Sequence, residues 1–184
     1  MIKCSVFIAT SLDGFISRED GSIDWLNEAN NLVTNAEDLG FERFISTVDA
    51  IVMGRNTFEQ VIGFEQWPYK HIPLIVLSRH LNALPPTAPA SVSISSENPQ
   101  QLVKRLAENG CKHIYVDGGQ TIHSFLQDHL INEITITQIP VLIGSGKTLF
   151  GALQNDLHLE HIHTSVFHYG FVQSKYRIVA SNPS

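Results

Sequence analysis

The chain reads as an α/β protein built on a mostly parallel central sheet, and three observations carry that reading. Short apolar runs alternate with helix-like stretches along most of its length, the rhythm of parallel strands joined by crossover helices. Three of those runs stop at turns suited to holding a ligand at the carboxyl edge of such a sheet: Ile51-Val-Met-Gly54-Arg55-Asn-Thr57, Pro73-Leu-Ile-Val-Leu-Ser78-Arg79 and His113-Ile-Tyr-Val-Asp117-Gly118-Gly119. Residues 157–180 break the rhythm, because apolar positions from Ile162 to Val179 flank His168-Tyr169-Gly170, the mark of two antiparallel strands around a glycine turn.

In chain order, strands are expected at residues 2–10, 49–53, 73–78, 113–117 and 131–139, each rich in side chains that fit a pleated, buried surface. Helices are expected at 35–47, 55–63, 99–109 and 120–129. Asn35 opens the first as an N-cap, with Asp38 three residues on at the positive helix end. The second starts directly from Gly54. Pro99 suits the first position of the third and Gly110 its stop, and Gly118-Gly119 lead into the fourth. His158-Leu-Glu-His161-Ile-His163 falls in the terminal strand pair, where the histidines are expected outside and Leu159 and Ile162 inside. Pro85-Pro86-Thr-Ala-Pro89 is too brief for a domain linker, so a single domain is expected over 1–184.

With 184 residues, 43% hydrophobic and 16% charged, the chain has material for one substantial core. A net charge of -6, with Lys plus Arg totalling 12, argues against the basic face that nucleic acid requires. No apolar run is long enough to span a bilayer, and the first residues read as a strand rather than a targeting segment, so a cytoplasmic protein without a membrane partner is expected. Cys4 and Cys111 have neither C-x-x-C nor zinc spacing and read as free, buried thiols in a reducing compartment.

The Gly54-Arg55-x-Thr57 turn has the chemistry to hold a phosphate. First-turn N–H groups of a helix lack internal partners and sit at its positive end, a glycine lets backbone approach closely, and an arginine adds a fixed fork of donors. Three such strand ends on one sheet edge point to one site. Two other motifs do not earn a role. Gly144-Ser-Gly-Lys147-Thr148 mimics the end of a P-loop, yet the first glycine of that motif would fall on Val141, so a mobile glycine loop is the better reading. His161 and His163 have a metal-binding spacing without an evident third ligand, and no metal is expected.

Ala9-Thr-Ser-Leu-Asp13-Gly14-Phe-Ile16, Met53-Gly-Arg-Asn-Thr57, Val76-Leu-Ser78 and Asp117-Gly-Gly-Gln-Thr-Ile122 together resemble the dihydrofolate reductase-like superfamily, in order and spacing, over nearly the whole chain. Glu133 followed by Gln138-Ile-Pro140-Val-Leu-Ile-Gly144-Ser-Gly146-Lys-Thr-Leu-Phe150 is more similar to the C-terminal reductase domain of bacterial bifunctional riboflavin biosynthesis deaminase-reductases. The resemblance implies a dihydrofolate reductase-like fold, with helices on both faces of the sheet and a closing C-terminal antiparallel hairpin. It further implies a nicotinamide dinucleotide, with Gly54, Arg55 and Thr57 on one side and Gly118, Gly119, Gln120, Thr121 and Ile122 on the other holding phosphates. Leu77, Ser78 and Arg79 would lie beside the adenosine ribose, and Ala9 and Ile16 would line the nicotinamide pocket. Arg55 with Arg79 favours the ribose 2′-phosphate of NADPH over NAD, which would call for an acidic acceptor.

Candidates for the proton donor are Asp38, with an alternative as part of a helix cap, Asp13, with an alternative as a turn residue, and Glu42, one helical turn beyond Asp38. Asp117 reads foremost as a turn residue before Gly118, and Trp25 and Trp67 as core residues. The expected function is NADPH-dependent reduction of a small heterocyclic or carbonyl substrate, resembling 5-amino-6-(5-phosphoribosylamino)uracil reductase. A dinucleotide-binding module without catalysis, an interaction protein on an inherited fold and a true dihydrofolate reductase are the alternatives. Against the last, Trp67-Pro-Tyr-Lys70-His71-Ile-Pro73 lacks an arginine to hold a folate tail. A homodimer is compatible with the resemblance.

Overall fold

An eight-stranded sheet, in the order β5-β4-β3-β6-β1-β7-β10-β9, forms the centre of the molecule, with a separate ribbon of β2 and β8 beside it. The computed structural model describes residues 1–33 and 39–179. Its elements run β1 (Lys3–Ser11), β2 (Phe15–Ser17), α1 (Asp24–Asn30), α2 (Phe41–Ile45), β3 (Ala50–Gly54), α3 (Arg55–Val61), β4 (Leu74–Leu77), β5 (Val92–Ser95), α4 (Pro99–Glu108), β6 (His113–Asp117), α5 (Gly119–Gln127), β7 (Glu133–Ile139), β8 (Lys147–Thr148), β9 (Leu159–Val166) and β10 (Val172–Ile178). Pairing is parallel from β5 through to β7, and β10 runs antiparallel to both β7 and β9. The expected parallel sheet with a C-terminal antiparallel pair is therefore what the chain builds.

Period-two alternation explains why both faces are covered. Along β3, Ala50 and Val52 enter a core with Leu102 and Leu106 of α4 and Ile122 and Phe125 of α5, whereas Ile51 and Met53 enter one with Ile45 of α2 and Phe58 and Val61 of α3. Each fully buried side chain of this size contributes about 1.5–3 kcal/mol. A third cluster joins Trp25 and Ala29 of α1 to Ile139 and Phe171. At α4 the Asn98 side chain accepts from the Gln101 N–H at 2.9 Å and Gln101 returns the bond to the Asn98 N–H, a capping box with Pro99 inside it.

Several expectations need correction. The helix expected from residue 35 begins at Phe41, because Leu39 and Gly40 have φ values of 52° and 82°, which no right-handed helix contains; Asn35 and Asp38 lie outside the described residues. β2, α1, β5 and β8 were not expected, being too short to show a period. Leu159 and Ile162 are not inside: β9 is an edge strand, and they are 44% and 39% exposed. There His161 pairs with Tyr176 and His163 with Lys175, so a bulge drops Ile162 out of the ladder. Both cysteines are free, but only Cys4 is fully buried. Among the described residues no helix is long and apolar enough to cross a membrane.

Candidate functional site

The carboxyl ends of β4, β3, β6 and β1 open into one cleft of about 1560 Å³. Single drug-sized ligands occupy about 300–1,000 Å³, so the cleft exceeds what one such ligand needs. The three strand ends singled out by sequence meet there, as open parallel sheets dictate.

The middle of the cleft is a cradle that side chains cannot fill. Gly118 has φ of 85°, accessible to glycine at little cost, and its carbonyl accepts the Ile122 N–H at 2.8 Å to start α5. The following first-turn N–H groups have no acceptor within the helix. A Cβ on Gly118 would overlap Thr57 Oγ1, and one on Gly54 would come within 3.1 Å of Thr121 Oγ1. Each glycine turn thus faces the threonine of the other. Above them a Cβ on Gly119 would meet Ile16 Cδ1 at 2.8 Å and Thr148 O at 3.5 Å, so the β2–β8 ribbon lies directly over the start of α5. The glycine loop expected at 144–148 supplies that ribbon through Lys147 and Thr148.

At one end of the cleft, Leu77, Ser78 and Arg79 follow β4. Ser78 Oγ accepts the His80 and Leu81 N–H groups at 3.2 and 3.0 Å, which leaves its own O–H to donate outward. Arg79 is exposed and has no ion partner among the described residues, while Arg55 leans toward Glu59 at 3.7 Å. Facing them, Glu97 is engaged by Arg105 at 2.7 Å and Ser95 at 2.7 Å, and those bonds, Arg105 first, hold its pKa below the usual value. At the other end Ala9 lies near the end of β1 and Ile16 leans in from the ribbon. Gly54, Arg55, Thr57, Gly118, Gly119, Gln120 and Thr121 line the stretch between.

Three sequence candidates do not join this wall. Ile122 is fully buried in the core beneath α5, three residues past Gly119 and on the face toward the sheet. Asp13 is exposed and accepts from Ser11 Oγ at 2.6 Å, Gly144 N at 2.8 Å and Ile143 N at 3.3 Å. The Ser11 bond foremost, then the backbone bonds, keep its pKa lowered, so it pins a turn and is a poor acid near neutrality. Glu42 is exposed and pairs with Lys70 at 2.8 Å. Asp38 lies outside the described residues.

Asp117, read from sequence as a turn residue, does accept the Gly118 N–H at 2.8 Å, and it also lines the cleft with Tyr69, whose hydroxyl is 3.5 Å away. Burial is the largest influence and raises the carboxyl pKa; bonds from the Gly118 N–H and the tyrosine hydroxyls oppose it. Tyr69 is raised in turn, by burial first and then by the Asp117 charge. Two groups perturbed by burial in a cleft are candidates for a functional role. The available signal was an acid ending an otherwise apolar strand, His113-Ile-Tyr-Val-Asp117. Trp25 and Trp67 are off the cleft wall, Trp67 edge-on to Tyr69 with centroids 5.5 Å apart.

Fold and cleft define an open α/β protein with a glycine-lined, dinucleotide-sized site at its switch edge. The chain belongs to the RibD C-terminal domain family, whose model matches residues 3–172, a family of reductase domains of riboflavin biosynthesis. It is 34% identical over 159 residues to the uncharacterised protein YwjB of Bacillus subtilis (strain 168), spanning 85% of this chain and 87% of that one. A solved structure from Shewanella sp. PV-4, named for riboflavin biosynthesis, superposes with a TM-score of 0.90 at 36% identity over 97% of this chain and 99% of the other. The deaminase/5-amino-6-(5-phosphoribosylamino)uracil reductase of Thermotoga maritima shares the fold, with a TM-score of 0.73 at 15% identity, over 97% of this chain and 57% of that larger one.

Proposed function

We propose that the protein is an NADPH-dependent reductase of a small heterocyclic or carbonyl compound. The observation that carries this reading is the reciprocal placement of Gly54 against Thr121 and Gly118 against Thr57, which leaves a backbone-lined cradle open to a diphosphate. Gly54, Arg55, Thr57 and the first turn of α5 would hold the diphosphate. Ser78 and Arg79 would hold the ribose 2′-phosphate, an arginine fork on a dianion being among the stronger charge-assisted contacts. Ala9 and Ile16 would flank the nicotinamide, and the bound dinucleotide would supply the hydride.

The chain's remaining task is to orient the acceptor and deliver a proton. Asp117 takes that role in preference to Asp13 and Glu42, since it lines the cleft beside Tyr69 and its raised pKa keeps a proton available closer to neutrality. A binding module without chemistry is the second reading, favoured by the position of Asp13 and Glu42 off the wall. Titration with NADPH and NADH, by fluorescence or calorimetry, on the parent chain and on Arg55→Ala and Arg79→Ala separates these classes. Tight NADPH binding weakened in both variants supports the cleft, and oxidation of NADPH in a substrate screen then favours the enzyme. No binding of either dinucleotide would sink both readings.

A further inference from the structure

Resting on the reductase reading, we infer that the second ligand of the cleft is an uncharged, unphosphorylated ring compound with an N–H or O–H donor, rather than a sugar phosphate. The β1 end of the cleft is separated from Arg79 by β3 and β6, a lateral distance of about 14 Å at ordinary strand spacing. Its wall there is Ile8 of β1, Ile23 and Leu26 at α1, and Val61 and Phe64 at the end of α3. Phe64 is 45% exposed, an aromatic face open to a flat partner. The polar centre of this compartment is Asp117 with Tyr69, a carboxyl and a hydroxyl that suit the polar edge of a ring and offer an anion no countercharge.

Phosphate recognition would need paired cations or a helix start, and both are committed elsewhere. The glycine turns before α3 and α5 belong to the dinucleotide cradle. Arg18 is locked by two bonds to Asp24, at 2.6 and 2.7 Å, and Lys70 is held by Glu42 at 2.8 Å. Among the described residues lining this end, Lys147 is the remaining cation; its Nζ lies 3.5 Å from where a Cβ of Gly21 would be, beside the acidic turn of Asp20 at the rim. A lone ammonium is a weak phosphate site beside the bidentate forks such ligands favour.

The test compares 5-amino-6-(5-phosphoribosylamino)uracil with its dephosphorylated form by calorimetry on the full chain, with and without saturating NADP+. NADP+ binding is read separately, so failure of the dinucleotide reading is distinguishable from failure of this one. The expected result is that the phosphate adds less than twofold to affinity, and that Leu26→Arg raises affinity for the phosphorylated compound alone by at least tenfold. Saturable binding of the dephosphorylated compound with none of the phosphorylated one carries the same meaning, and no binding of either with NADP+ bound overturns the inference. A tenfold or greater preference of the parent chain for the phosphorylated compound, lost in Lys147→Ala, overturns the inference.

Discussion

Gly118 and Thr57 stand so close that a Cβ on the glycine would overlap the threonine Oγ1. The glycine carries φ of 85° and so meets two demands at once: a left-handed backbone and a vacant side-chain position. Gly118→Ala should cost about 1–3 kcal/mol from the backbone alone and weaken NADPH binding at least tenfold by tilting the start of α5. The double variant Gly118→Ala/Thr57→Ala should recover the part due to overlap but not the part due to φ. Urea denaturation of the parent, Gly118→Ala, Thr57→Ala and the double variant, read as a double-mutant cycle, checks this; an interaction energy of zero would show that overlap is not the cause.

Arg79 makes a contrasting case, because it is exposed and unpartnered among the described residues. Removal of such a side chain changes stability by no more than about 0.5 kcal/mol. Arg79→Ala should therefore melt like the parent while NADPH affinity falls about tenfold or more and NADH affinity stays within twofold. Parallel loss for both dinucleotides would mean that Arg79 does not read the 2′-phosphate.

Much of this architecture was legible in advance, for a physical reason. The apolar strands with period-two coverage on both faces, and Gly54 and Gly118 at strand ends, carry their geometry locally. The proton donor proposed above was not legible. Asp13 and Glu42 have the right chemistry, but their partners are remote in sequence: Gly144 for one and Lys70 for the other. Asp117 looked like a turn residue because it is one; its enclosure by Tyr69 and Tyr115 exists only after β6 has packed. The exposure of Ile162 likewise depends on a bulge and on β9 ending the sheet.

His113 should give the fold a pH limit. Its Nδ1 lies 3.0 Å from the Thr47 carbonyl and its Nε2 2.9 Å from Ser5 Oγ, and burial, the largest influence, lowers its pKa from 6.5. The folded state therefore binds fewer protons at this site than the unfolded state. Stability from this group is complete above pH 6.5 and declines as pH falls toward the lower folded pKa, by at most about 1.4 kcal/mol per pH unit for one proton. Urea midpoints at pH 7.5 and 5.5 should differ in that direction, and His113→Gln should narrow the difference. An unchanged difference would assign the limit to other groups.

Thiol chemistry should separate the cysteines. Burial, with a smaller contribution from Cys111, pushes the Cys4 thiol up to about 12. Cys111 is half-buried and raised chiefly by burial as well. With the thiolate as nucleophile, native protein at pH 8 should label slowly at Cys111 and at Cys4 only on unfolding. Peptide mass spectrometry after iodoacetamide, with and without urea, reads the two sites; native labelling of Cys4 at the rate of Cys111 would contradict the burial argument.

Asp117→Asn should make the protein more stable and less active. The folded carboxyl pKa lies above 3.8, so this group stabilises the fold most when protonated, and its contribution falls as pH rises through the folded pKa. At neutral pH the parent holds a proton that the unfolded chain gives up, a cost asparagine avoids while keeping an oxygen for the Gly118 N–H. The same change removes the acid beside Tyr69, and general acid catalysis contributes about 10²–10⁴-fold. Asp117→Asn should therefore raise the urea midpoint at pH 7.5, leave NADPH affinity within threefold, and lower kcat by about that factor while flattening its pH profile. Full activity in a stabilised variant would return Asp117 to the role of a turn residue and leave the proton to come from elsewhere.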